Sequence, residues 1–261
     1  MNKLIAVAGF AAAVSTLAAL PSVAVAQDKA ADSPHTFTGN ISLVSEYRFR
    51  GISQTNRKPA IQGGFDYAHA SGFYLGTWAS NVSWLSDGGG GAVSNSLETN
   101  FYGGFKGSYG DFGYDVGLLQ YYYPGSYPSG FNSPNTLEAY IGGSWQMLTL
   151  KYSYALTDAF GFTDSKGAGY VDLTGNFSVG EGFTVVAHVG NQYFPGTEGR
   201  TSSACSYTDW KLGVTKELVG LTWGLSYIDT NAKGGEGECY RNPFNKDLGK
   251  GNVVLSVSKT F

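Results

Sequence analysis

Residues 136–156 read TLEAYIGGSWQMLTLKYSYAL, and this stretch decides the fold class. Apolar side chains alternate with polar or small ones up to Trp145 and again from Leu148, which is the period-two pattern of a β-strand. Only Gln146 and Met147 separate the two segments. Each segment has about ten residues, the length at which a tilted strand crosses a bilayer.

The same alternation recurs along the chain, with one mostly apolar face and one mostly polar face in each segment. Only the segment at 72–82 has ambiguous faces. The pattern predicts strands at 37–50, 60–70, 72–82, 97–107, 112–122, 136–145, 148–156, 169–179, 183–193, 207–216, 221–229 and 252–261. The residues expected to face lipid are Leu43, Phe101, Leu118, Ile141, Leu150, Val185 and Leu225.

The connections between these segments alternate strictly between short and long. Short turns such as 71–72 and 146–147 alternate with long loops rich in Gly, Ser, Pro, Asn and Asp, such as 83–95 and 230–251. Short periplasmic turns and long extracellular loops produce this rhythm, which a soluble β-sandwich has no reason to keep. The sequence therefore predicts an all-β protein, a single antiparallel transmembrane β-barrel of about 12 strands over residues 37–261.

The composition agrees with this class and excludes others. The chain has 261 residues, with 38 Gly and 15% aromatic but only 14% charged residues. Gly weakens helix interiors by about 1 kcal/mol relative to Ala, and a mean hydropathy of -0.14 excludes a polytopic helical membrane protein. The net charge of -3 gives no support for a nucleic-acid partner.

The N-terminus has the features of a secretory signal peptide over residues 1–26. Lys3 precedes an apolar run from Leu4 to Val14, and Ala24-Val25-Ala26 forms a small-residue cleavage site. Residues 27–36 would then be a short periplasmic segment. Export of a barrel predicts the outer membrane of a Gram-negative bacterium, with the surrounding lipid as a partner.

The exported part contains two cysteines, Cys205 and Cys239. An even number of cysteines in an exported chain predicts a disulfide. Both fall in neighbouring long loops on the same side of the predicted barrel. His35, His69 and His188 are far apart and fit no metal-ligand spacing, so we expect neither a metal nor a cofactor.

The polar faces provide candidate pore-lining residues. They are Glu46, Arg48, Arg50, Asp66, Glu98, Lys106, Asp115, Glu138, Lys151, Asp172, His188, Asp209, Lys211 and Asp229. They would either line a hydrated lumen that filters solutes or form salt bridges that plug a narrow barrel. The small inward residues Gly64, Gly104, Gly113, Gly117, Ser153 and Gly190 favour a narrow open pore, and the slight excess of acids favours cations weakly.

The first strand carries a separate expectation. Arg48 and Arg50 lie two residues apart on one predicted face, and with Arg57 and Lys58 they could form a basic mouth that attracts anions. The alternative is that Arg48 pairs with an inward acid such as Glu46 or Asp66 and only stiffens the wall.

Three stretches carry a resemblance to a known family: SEYRFRGISQ at 45–54, PAIQGGFDY at 59–67 and GFYLGTWASN at 72–81. They resemble the opening of the TorF-type porin family, a proteobacterial exported family of otherwise unknown function. The resemblance implies an outer-membrane barrel acting as a porin, and it brings no catalytic or ligand residues. The closing Phe261 resembles the C-terminal signature by which the barrel-assembly machinery recognises its clients, although Lys259 departs from that signature.

Three functions stay open at this point. The first is a porin, a passive diffusion channel for small hydrophilic solutes, which is not an enzyme. The second is a barrel hydrolase that uses His188 or His69. The third is a closed structural or adhesive barrel that acts through its long loops. Association into homo-oligomers also stays open.

Overall fold

A computed structural model describes residues 33–196 and 199–261, so the predicted signal peptide and most of the segment at 27–36 lie outside the described residues. Twelve long strands form the barrel: β1 His35–Val44, β4 Ala60–His69, β5 Phe73–Asn81, β6 Leu97–Tyr109, β7 Phe112–Tyr122, β8 Thr136–Trp145, β9 Leu148–Ala155, β10 Gly169–Gly180, β11 Phe183–Tyr193, β12 Tyr207–Leu218, β13 Leu221–Thr230 and β14 Asn252–Thr260. Two short strands, β2 Arg48–Phe49 and β3 Ile52–Ser53, form a separate small hairpin. The short helices are α1 Trp84–Gly88 and α2 Ser202–Cys205, and no helix within the described ranges is long and apolar enough to cross a membrane.

The predicted fold class is confirmed, because the twelve long strands form one closed antiparallel barrel. Each long strand pairs with its neighbours in chain order, and β14 pairs with β1 to close the ring, with Ile41 opposite Lys259. Gly39 and Phe261 exchange two backbone hydrogen bonds of 2.7 and 2.9 Å at the end of this seam. Closure leaves no sheet edge with unpaired backbone groups, as a lipid environment requires.

The strand faces follow the period-two pattern of the sequence. On the outer face, Leu43, Leu150 and Ile141 are each more than half exposed, and Phe101, Leu118 and Leu225 are also exposed. Val185 lies on the same outer face but is half-buried. In the ambiguous segment, Phe73 and Leu75 face outward, whereas Tyr74 and Trp78 face the barrel interior and are buried.

The first strand is shorter than the alternation predicts. The pattern at 37–50 suggested one strand through Arg50, but β1 ends at Val44. Arg50 and Gly51 have φ angles of 48° and 79°, and two successive positive φ angles make the two-residue turn of a tight hairpin. The chain therefore bends into the barrel after β1 instead of continuing along its wall.

The predicted disulfide is confirmed between Cys205 and Cys239, whose Cα atoms are 5.5 Å apart. It joins α2, which precedes β12, to the long loop between β13 and β14. The Tyr240 hydroxyl donates to the Cys205 carbonyl beside it. Burial raises the pKa of the Tyr240 phenol, so this group stays a donor at neutral pH.

Candidate functional site: a charged lumen crossed by the first long loop

The segment between β1 and β4, residues 45–59, folds into the barrel interior, and we call it the first long loop. Tyr47, Arg48, Arg50, Ser53 and Thr55 are each at most 5% exposed. A loop lying over the rim would expose its polar side chains to water. This loop instead buries them against the inner wall, at the end of the barrel that carries the long loops.

Arg50 reaches across the lumen to the far wall. Its Nη2 atom donates to both carboxylate oxygens of Glu138 at 2.7 and 2.9 Å, and Nη1 donates to Gln192 Oε1 at 2.8 Å. The guanidinium also lies 4.4 Å from the ring centroid of Tyr170. Glu138 belongs to β8 and Gln192 to β11, which lie five and four strands away from β1 around the ring. The loop therefore bridges the lumen instead of lining one side of it.

Gly51 allows this close approach at the tip of the β2–β3 hairpin. A Cβ atom at Gly51 would collide with the Thr230 methyl group and lie 2.7 Å from Asp209 Cβ. The positive φ and the missing side chain are thus both required. A glycine at this position seats the hairpin against β12 and β13.

Arg48 forms contacts between the first long loop and the segment at the start of β14. Its Nε lies 2.9 Å from Glu46 Oε1, and its Nη atoms donate to the carbonyls of Gly51 at 2.8 Å and Lys250 at 2.9 Å. Asn252 donates to the other Glu46 oxygen at 2.6 Å. Both arginines thus pair with carboxylates. The interpretation of Arg48 and Arg50 as neighbours on one face of the first strand, at an exposed basic mouth, is wrong because the strand ends before them.

Glu98 and an aromatic cluster complete the packing around the loop. Tyr47 and Tyr123 donate to the two Glu98 oxygens at 3.2 and 3.3 Å, and Asn100 donates at 2.8 Å. The rings of Phe49, Tyr121 and Phe160 meet edge to face, with centroids 5.2 to 5.5 Å apart. The loop is therefore fixed by hydrogen bonds and by apolar contacts.

A second cluster surrounds His188 on β11. His188 Nε2 lies 2.8 Å from Asp209 Oδ1, and Nδ1 lies 3.4 Å from Asp172 Oδ1. Tyr170 donates to Asp209 at 2.9 Å. Thr174 Oγ1 lies 3.0 Å from Nδ1, but its hydroxyl donates to Asp172 at 2.7 Å. Each imidazole nitrogen therefore lies near a carboxylate, and Nδ1 also lies near the Thr174 hydroxyl, whereas a catalytic triad places one nitrogen against the acid and the other against the nucleophile.

His69 offers no better catalytic geometry. It lies at the end of β4, at the short-turn end of the barrel, where its Nδ1 is 2.8 Å from the Ser71 hydroxyl and its ring is 5.2 Å from that of His35. Within the described part of the chain, no hydrogen bond or salt bridge joins His69 to a carboxylate. A nucleophile and base without an orienting acid make a weak catalytic arrangement.

A third cluster covers the wall formed by β4 to β9. Tyr102 donates to Asp66 and Tyr74 donates to Asp115, each at 2.6 Å. The Lys151 ammonium lies 3.9 Å from the ring centroid of Tyr140, and the Lys106 ammonium lies 5.2 Å from that of Tyr74. The charges on this wall are thus interleaved with tyrosines.

The small inward residues have a different role from the one expected. A Cβ atom at Gly104 would lie 2.7 Å from the Tyr74 hydroxyl, and one at Gly117 or Gly190 would collide with the hydroxyl of Tyr140 or Tyr170. At these three glycines a tyrosine hydroxyl from the neighbouring strand therefore lies where a side chain would begin. Small side chains alone did not reveal this, because the tyrosines that fill the space come from neighbouring strands.

The predicted pore-lining residues occupy three kinds of position. Those on the inner faces of barrel strands are Asp66, Glu98, Lys106, Asp115, Glu138, Lys151, Asp172, His188, Asp209 and Lys211. Glu46, Arg48 and Arg50 belong to the first long loop. The prediction that Asp229 lines the pore is wrong. Asp229 shares the outer face of β13 with the exposed Tyr227, whose hydroxyl donates to it at 3.0 Å.

Sequence reasoning missed the inner-face tyrosines and Gln192. Tyr74, Tyr140 and Tyr170 were not identified because Tyr fits both an apolar and a polar face. The available signal was a tyrosine in the same strand position as the polar residues, as at Tyr140 two residues after Glu138.

The chain is similar to a bacterial protein family of unknown function, Gcw_chp, over residues 28–261. A search of curated protein sequences finds no significant match. Among solved structures, the KdgM porin has a TM-score of 0.51 at 8% identity, covering 86% of this chain and 99% of that one. The NanC porin has a TM-score of 0.50 at 10% identity, with coverage of 86% and 99%. At these identities the structural likeness shows the barrel fold.

Proposed function

Since the chain belongs to the bacterial family Gcw_chp, whose function is unknown, we propose from its geometry that it is an outer-membrane porin. It would act as a passive diffusion channel for small hydrophilic solutes, without enzymatic activity. One observation carries the proposal: a closed barrel has an apolar outer face and a charged inner face. A charged inner face is stable only beside water or other polar groups, as in a hydrated lumen.

The proposed location follows from the outer face. Exposed Leu, Ile, Val and Phe side chains surround the barrel, and the free energy of burying them favours lipid over water by about 25 cal/mol per Å². We propose the outer membrane of a Gram-negative bacterium, reached through the N-terminal signal peptide and the barrel-assembly machinery. We also propose that the chain is a member of the TorF-type porin family, which its sequence resembles. One closed barrel contains the whole lumen, so the proposal holds whether or not copies associate.

The first long loop sets the narrow part of the proposed channel. Arg50, Glu138 and Gln192 meet inside the long-loop half of the barrel. Towards the short turns, Asp115 and Lys151 are half-buried on the inner wall. Solutes would therefore pass a wider charged vestibule and a constriction formed by the loop. Because Arg50 pairs with Glu138 and Arg48 with Glu46, the preference between cations and anions should be weak.

The loop packing also favours a second candidate, a closed structural barrel. The buried side chains of the first long loop bridge both walls, as a plug would. The hydrolase alternative has no such support, because His188 lies between Asp172 and Asp209.

Electrical and osmotic measurements on the mature full chain separate these candidates. Folded protein is reconstituted into planar bilayers and into liposomes, with heat-denatured protein in the same detergent as the control. A porin gives discrete conductance steps and liposome swelling that is faster for small sugars than for oligosaccharides. Folded barrels that give neither steps nor swelling would contradict the porin and support the closed barrel.

A further inference from the structure

The long loop before β14 folds back against the first long loop. We call its residues 239–250 the clamp segment, because their backbone carbonyls accept hydrogen bonds from the first long loop. The Ser53 amide donates to the Leu248 carbonyl at 3.0 Å, and Arg57 Nη2 donates to the Asp247 carbonyl at 2.7 Å. The β2–β3 hairpin therefore has a second support besides its seat on β12 and β13.

Buried side chains strengthen this support. The Asn242 amide donates to the side-chain oxygen of Asn56 at 3.1 Å, and both side chains are buried. Ile52, Tyr207 and Tyr240 form a small buried apolar cluster, in which the two tyrosine rings meet edge to face with centroids 5.0 Å apart. These three residues belong to the hairpin, to β12 and to the clamp segment, so the cluster joins all three.

Tyr240 connects the clamp segment to the disulfide. It follows Cys239 directly in the sequence, and its hydroxyl donates to the Cys205 carbonyl. Its own carbonyl accepts the Leu248 amide at 2.9 Å, and Leu248 in turn accepts the Ser53 amide. A continuous series of contacts therefore runs from the disulfide, through Tyr240 and Leu248, to the hairpin.

We propose that the Cys205–Cys239 disulfide and Tyr240 position the constriction of the channel by holding the clamp segment against the β2–β3 hairpin. The hairpin carries Arg50 across the lumen, so its position sets the free width beside Glu138. A long loop would otherwise sample many conformations, and a cross-link removes part of that freedom. The disulfide thus fixes how far the hairpin extends into the lumen, in addition to stabilising the barrel.

This proposal deepens the proposed porin function and rests on it, and two measurements test it together. Single-channel recording in planar bilayers gives the step size and the current noise of each open channel. Hydrogen–deuterium exchange of the folded mature chain, followed by mass spectrometry of short peptides, reports the opening of the Ser53 amide. A loss of stability alone lowers the number of folded channels but leaves the current through each one unchanged. Step size and noise therefore separate positioning from a general structural role.

Two variants break the proposed connection at different points. Cys205→Ser with Cys239→Ser removes the cross-link, whereas Tyr240→Phe removes one hydroxyl and keeps the ring. Tyr240→Phe should speed exchange of the Ser53 amide about twofold to tenfold, the factor expected for one net hydrogen bond. The double-serine variant should speed it more, because a cross-link restricts the loop more than one hydrogen bond does. Both variants should give larger and noisier conductance steps.

A control in the same segment and the possible outcomes decide the proposal. Phe244→Ala is the matched control, because the Phe244 side chain is exposed, and it should keep parental exchange and parental steps. Parental exchange or parental steps in either test variant would overturn the proposal. Where the double-serine chain fails to fold, Tyr240→Phe decides. No steps from the folded parent overturn the porin itself, and exchange of the Ser53 amide then still decides whether the clamp segment holds the hairpin.

Discussion

Replacing Arg50 by Met tests whether the first long loop is held by its ion pair across the lumen. The Arg50 guanidinium makes two bonds to Glu138 and one to Gln192, and both charged side chains are almost fully buried. Methionine keeps much of the volume but removes the charge. Glu138 then keeps a buried carboxylate without a cation, a change that costs about 3–5 kcal/mol of unfolding free energy.

Urea unfolding of the folded barrel in detergent micelles, followed by tryptophan fluorescence, measures this loss. Lys58→Met is the control, because Lys58 lies in the same loop with its side chain exposed. The double variant Arg50→Met with Glu138→Leu should recover part of the stability, since it leaves no unpaired buried charge. A stability of Arg50→Met within about 0.5 kcal/mol of the parent, the usual range for surface substitutions, would refute the reasoning.

Two further predictions concern the wall and the long loops. Leu150→Arg, at an exposed outer-face site, should lower the unfolding free energy in lipid vesicles by about 2–4 kcal/mol. Thr149→Arg, on the inner face of the same strand, should lower it clearly less. Equal losses of unfolding free energy would contradict the assigned faces. Replacing Cys205 and Cys239 by Ser should lower the free energy of unfolding, measured in urea, by about 3–4 kcal/mol in the chain-entropy model for a sequence separation of 34 residues. A parent that contains free thiols, or a double-serine variant as stable as the oxidised parent, would argue against that contribution.

The strands and their faces could be predicted because a barrel wall repeats one local rule. Each strand separates lipid from lumen, so the period-two pattern is visible within ten residues, as in β9 with Leu150 outside and Lys151 inside. The disulfide was also accessible, since only two cysteines exist and both lie in long loops. These features depend on composition and alternation within short segments.

The inward fold of the first long loop could not be read from the same pattern. Alternation continues past Val44 through Phe49, although β1 has ended and only Arg48 and Phe49 are again extended chain, in the β2–β3 hairpin. Only the Arg50-Gly51 pair marks the turn, and Arg is not a residue that the positive-φ position favours. The pattern reports local conformation, and it does not report where an extended segment goes after its strand ends.

The residues that pair across the lumen could not be predicted from the sequence either. Arg50 and Glu138 are 88 residues apart, and their contact depends on the ring closure of twelve strands. The wrong prediction for Asp229 has a simpler cause. Asp229 lies two residues after the outward-facing Tyr227, so alternation places it on the outer face, but its charge suggested the lumen. Charge alone does not assign a face near a strand end, where the rim is hydrated.

Single-channel conductance of a loop-shortened barrel tests the central claim most directly. Residues 48–53 are replaced by a short Gly-Ser linker, which removes Arg48, Arg50 and the hairpin from the lumen. A matched shortening at 88–91, where Gly88, Gly90 and Gly91 lie in open space, is the control. The account predicts conductance steps in the parent, larger steps in the hairpin variant, and parental steps in the control. Equal step sizes in the parent and the hairpin variant, or no steps from either folded barrel, would contradict a channel narrowed by its first long loop.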